Sequence, residues 1–143
     1  MMNFSAFQAF MRQYFPIFLT GLFVSILSMV LAVALWVDNH WRDHPDNSLY
    51  TLLTCGVLSL LLCVGHFAMI RGLGWAIWVV LLSLAITWLM ALSLVGTGLS
   101  TILLIIVTAM PLLAVLVLNS SRHREMRRGL AHLREQRRAA RKT

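Results

Sequence analysis

Residues 99–128 read LSTILLIIVTAMPLLAVLVLNSSRHREMRR. An uncharged run, 99–118, passes directly into a segment crowded with arginine. A helix rises about 1.5 Å per residue, so roughly 20 apolar residues cover the hydrocarbon core of a bilayer. The abrupt change from grease to cation therefore predicts a membrane span that ends at a water-facing basic tail.

The rest of the chain repeats the first half of that pattern. Further apolar runs lie at about 15–37, 49–70 and 73–95, and none of the four contains Asp, Glu, Lys or Arg. With 59% hydrophobic and 12% charged residues, the chain has too little polar surface to clothe a soluble globule. The expected fold is an all-α integral membrane protein, an up-down-up-down bundle of four transmembrane helices. Arg71-Gly72-Leu73-Gly74 and Gly96-Thr97-Gly98 supply the tight turns that make sequential helices antiparallel neighbours.

Three segments follow. Residues 1–14 form an interfacial amphipathic helix, in which Phe4, Phe7, Met11 and Tyr14 recur at spacings of three and four while Asn3, Ser5, Gln8 and Arg12 lie largely off that stripe. Residues 15–118 hold the bundle, and 119–143 form a basic helical tail that extends span four. Ala32-Val33-Ala34 has the form of a signal-cleavage site, but the long apolar run and single positive charge before it favour an uncleaved first helix.

Charge sets the orientation. The tail has nine cations (Arg122, Arg124, Arg127, Arg128, Arg134, Arg137, Arg138, Arg141, Lys142) against Glu125 and Glu135, so 9 − 2 = +7, the whole net charge of the chain. The positive-inside rule then places both termini in the cytoplasm of a bacterial inner membrane, with Asp38, Asp43 and Asp46 outside. The tail cations are expected to meet anionic lipid headgroups, each worth about 1 kcal/mol near the surface. Another membrane protein, or a second copy of the chain, is the other expected partner. Nucleic acid is not, since the tail lacks interleaved aromatic residues.

Because lipid tails provide no hydrophobic drive between helices, small and hydroxyl side chains mark packing faces. Ser25, Ser28, Ser59, Ser83, Thr87 and Thr108 are expected to face inward and to hydrogen-bond across helices. On span two, Thr51, Cys55, Ser59 and Cys63 form a stripe at four-residue steps. The two cysteines are about 12 Å apart along such a helix, out of disulfide reach. Pro111 should bend span four, with Thr108 helping to satisfy the backbone that it frees.

Candidate sites are few. His40 and His44, four residues apart among three aspartates, form half of a zinc or copper site, although Pro45 disfavours helix at His44. The competing reading is a wet outer loop. His66 is the one imidazole within a span, a proton-relay or haem-ligand position by type. A bis-histidine haem would need a second buried histidine, and no span supplies one. No nucleophile–base pair, phosphate loop or paired carboxylate is present, so neither a cofactor nor enzyme activity is expected. The function expected is that of an accessory, assembly or regulatory subunit of a membrane complex. Alternatives are a small oligomeric channel or uncoupled transporter, and an immunity-type or membrane-permeabilising protein.

Overall fold

The computed structural model describes residues 4–140, with side chains from Arg12 to Gln136 and that of Ala139. The side chains of Phe4, Phe7, Met11, Arg137 and Arg138, and the whole of Asn3, Arg141 and Lys142, lie outside the described residues. Five helices follow one another: α1 Phe4–Trp41, α2 Asn47–Ile70, α3 Ala76–Ser93, α4 Thr101–Leu118 and α5 Ser121–Ala140. The first four are long and apolar enough to cross a membrane.

Helix α1 touches all four others, whereas α2 and α4 do not meet among the described residues. The bundle is therefore a four-cornered one with α1 and α3 in contact across the diagonal. Met29, Val33, Leu62, Val80, Leu84, Ala114 and Leu118 fill its main core. A smaller cluster of Ala32, Ala91, Leu94 and Val107 closes the end that carries the α3–α4 turn.

Local chemistry fixes the helix ends. After α2 the Gly72 N–H donates to Met69 O at 2.9 Å and the Leu73 N–H to Ala68 O at 3.1 Å, a reversal that needs a left-handed residue, and Gly72 takes φ +70°. Ser100 caps α4 by accepting from the Leu103 N–H at 3.4 Å. Gly65 lets α2 approach α3: a Cβ there would stand 2.7 Å from Val80 Cγ2.

Two expectations of segmentation meet a different geometry. Helix α1 is unbroken for 38 residues, with Pro16 inside it. At about 57 Å it is far longer than the hydrocarbon core, so its first turns overhang the bundle. The tail, in contrast, does not prolong span four. The helix stops at Asn119–Ser120, Ser120 Oγ accepts from the His123 N–H at 3.3 Å, and α5 restarts to pack on α1, α2 and α4.

Candidate functional site

Where α5 folds back onto α1 and α2, it covers an apolar seam and brings a buried histidine to that end of the bundle. Met126 and Leu130, four apart on α5, are buried against Phe18, with Tyr14, Leu19 and Ile70 around them. Burying two such side chains contributes about 1.5–3 kcal/mol each. The contact is close at the α2–α3 turn, where a Cβ on Gly72 would lie 2.7 Å from Leu130 O. Arg134 Nη1 donates to Gly72 O at 3.4 Å and the Tyr14 hydroxyl to Glu125 Oε2 at 3.4 Å, so polar contacts flank the apolar seam.

Two histidines lie under this seam. His66 is buried, its ring edge-on to Phe18 at 5.7 Å between centroids. Its Nδ1 donates to Leu62 O at 2.9 Å, so Nε2 is the acceptor of the neutral ring, and it has no partner among the described residues. His123 enters from α5, is fully buried, and has no hydrogen-bond partner on either ring nitrogen among the described residues. It lies beside Gly21, where an added Cβ would be 3.8 Å from its Nε2. Burial, with Arg127 and then His66 adding their repulsion, pushes the His123 imidazole down to about 4.

The sequence offers no second buried histidine within a span, and the fold brings one in from outside the spans. The missed signal is the spacing His123, Met126, Leu130, which puts an imidazole on the apolar line of the tail. A ring held by a carbonyl at Nδ1 presents Nε2 for a hydrogen bond, a proton or a metal. No group of three metal-binding side chains forms among the described residues, however, and Arg127 adds positive charge nearby.

The tail cations divide by position. Arg122, Arg124 and Arg128 are exposed, while Arg127 and Arg134 are half-buried. Arg127 Nε is shielded from solvent and unpartnered among the described residues. Burial, then Arg124 and Arg128, pull its pKa down from the usual guanidinium value. Arg127 also borders a groove of about 370 Å³ formed with α3 and α4.

At the opposite end, the pair His40 and His44 is given over to local contacts. His40 Nδ1 donates to Trp36 O at 2.9 Å and its ring stacks on Trp36 at 4.7 Å. His44 Nδ1 accepts from the Asp46 N–H at 3.2 Å, and its ring lies against Trp41 and Tyr50. Asp38 is engaged by Arg42 at 2.7 Å. Among the described residues no third ligand is gathered around the two histidines.

Ser25, Ser28, Ser83 and Thr87 are fully buried, while Ser59 and Thr108 are half-buried. The expected cross-helix hydrogen bonds are not made by those that have partners. Ser25 donates to Gly21 O, Ser83 to Val79 O, Thr87 to Ser83 O and Thr108 to Leu104 O, at 2.7–2.9 Å. The carbonyl one turn back is the nearest acceptor, and it wins. Thr108 accordingly does not serve Val107 O, the carbonyl that Pro111 frees. Ser28 Oγ has no partner among the described residues.

Comparison with family models, with curated proteins and with solved structures returns no match, and no relative lends this chain a role.

Proposed function

We propose that the protein is an accessory, assembly or regulatory subunit of a membrane complex, without catalysis of its own, whose partner helix packs on the first half of α2. One observation carries this reading. All the buried residues of α2 lie between Leu62 and Met69, so from Asn47 to Leu61 this chain buries none. On that stretch Leu52, Leu53, Val57 and Leu60 stand exposed, while of the small-residue stripe Thr51, Cys55 and Ser59 are half-covered, Cys55 by this chain's own core, and Cys63 beyond them is exposed. Beside it, a Cβ on Gly56 would meet nothing within 4 Å.

In the same reading both termini and α5 lie in the cytoplasm of a bacterial inner membrane. The exposed Arg122, Arg124 and Arg128 then face headgroups or a cytoplasmic part of the partner. A carrier reading is less well supported, because Ser25, Ser28, Ser83 and Thr87 are sealed within the protomer and three of them are bonded to their own helices. Native mass spectrometry after gentle extraction tests the proposal. A heterologous subunit should stay bound to the native chain and be lost from Gly56→Leu, a substitution with room in the protomer. Recovery of the chain alone or as a homo-oligomer overturns it. Loss of liposome flux on Ser59→Leu would instead favour a carrier.

A further inference from the structure

Apart from the helix face proposed to meet a partner, the chain has an amphipathic groove between α3 and α4. Ile77, Trp78 and Leu81 of α3 face Val115 and Leu118 of α4 and Asn119 just beyond it across the groove of about 370 Å³, and Arg127 of α5 stands at its polar end. The volume is within the range of small-ligand sites. Its chemistry is graded along the membrane normal. Leu81 and Val115 lie deeper in the spans, while Trp78, near the start of α3, and Asn119, just past the end of α4, lie at the same end of the bundle.

We propose that this groove holds an anionic glycerophospholipid of the adjoining leaflet, its phosphate on Arg127 and Asn119 and an acyl chain along Ile77, Leu81 and Val115.

Charge complementarity favours that occupant. Among the described residues Arg127 has no ion pair, and its shielded Nε has no acceptor. The neighbouring Arg124 and Arg128 make its charge harder to bear. The acid closest to it in sequence, Glu125, is taken by the Tyr14 hydroxyl. A guanidinium fork donates paired hydrogen bonds to phosphate oxygens, and an amide adds a further donor. An indole at headgroup depth suits the glycerol region. A soluble phosphate would leave the apolar floor of the groove uncovered, whereas a lipid covers both ends. The proposal rests only on the spans lying in a bilayer, so it stands or falls apart from the partner on α2.

The full chain is reconstituted in nanodiscs of phosphatidylcholine with 20 mol% phosphatidylglycerol, about one lipid in five, a composition chosen to leave anionic charge sparse. After detergent release, native mass spectrometry counts the lipids retained. The expected result is one phosphatidylglycerol per chain, reduced tenfold or more by Arg127→Gln and by Leu81→Trp, which fills the groove, and unchanged by Arg42→Gln, an exposed cation at the opposite end of the bundle. Equal retention of phosphatidylcholine overturns the charge selectivity. Retention unchanged in Arg127→Gln, or lost equally in Arg42→Gln, overturns the site. If Leu81→Trp keeps its lipid while Arg127→Gln loses it, binding is by surface charge and not in the groove. Quenching of fluorescence by brominated phosphatidylglycerol, compared between the native chain and Trp78→Phe, reads the site without relying on either variant: no difference between the two chains also overturns it.

Discussion

At one end of the bundle His40 and His44 lie in water, each with a backbone partner and an aromatic neighbour, and Arg42 holds Asp38. At the other end His66 Nε2 and both ring nitrogens of His123 are buried without partners among the described residues, and Arg127 has no ion pair there. The residue types are the same, but their energetic positions are opposite. Polar groups that retain water cost little and specify little. The same groups sealed under a helix, short of partners, hold a cost that a proton, a ligand or an undocking event can release. The crowded, conspicuous loop is thus the quiet end, and the end with spare chemical potential is assembled from residues far apart in sequence.

The comparison breaks most readily at the glycines. Gly72→Ala combines a left-handed backbone with a Cβ 2.7 Å from Leu130 O, and should cost about 3 kcal/mol and free α5. Gly98→Ala at the other end has similar φ, +82°, but open space, and should cost about 1 kcal/mol. Thermal unfolding in detergent, together with protease nicking of the tail, reads both. Equal losses would mean that α5 does not press on the turn.

Acidity is the next lever. Docked His123 titrates near 4 and the freed imidazole near its ordinary 6.5. The undocked state therefore binds more protons between these values. Docking is at full strength above 6.5, weakens as pH falls toward about 4, and loses at most about 3 kcal/mol. Hydrogen exchange in α5 across that window should show the slope. His123→Leu should flatten it, and His44→Gln should leave it in place.

Smaller effects sharpen the contrast. His66→Leu gives up a local Nδ1 hydrogen bond but also removes an unmatched acceptor, so stability should move by no more than about 1 kcal/mol in chemical unfolding. Asp38→Asn removes an exposed ion pair and should leave the unfolding midpoint where it is.

Much of the scaffold was legible in the sequence. Uncharged runs of membrane length became α1 to α4, and Gly72, Gly96 and Gly98 take the positive φ their turns demand. Ser25, Ser28, Ser83 and Thr87 are buried within the bundle. The packing face of α2 was less legible, because Gly65 against Val80 draws in Leu62, His66 and Met69 and turns Cys63 outward. The recoil of α5 was hidden for a related reason. Met126 and Leu130 are isolated apolar residues among arginines in the sequence, and only the overhanging α1 and the Gly72 turn give them a surface to rest on. Periodicity identifies an amphipathic face and leaves open what will cover it.

The Tyr14–Glu125 contact bridges 111 residues, and the seam around it joins nearly the first and last described turns of the chain. Synthesis proceeds from the N-terminus, so all four spans are made before the residues that close this end. Until Leu130 leaves the ribosome, His66 and the flank of Phe18 lack the cover that α5 provides. The arrival of α5 therefore decides whether this end is covered: a chain truncated near residue 120 would keep all four span-length helices, yet leave Phe18 without the cover of Met126 and Leu130.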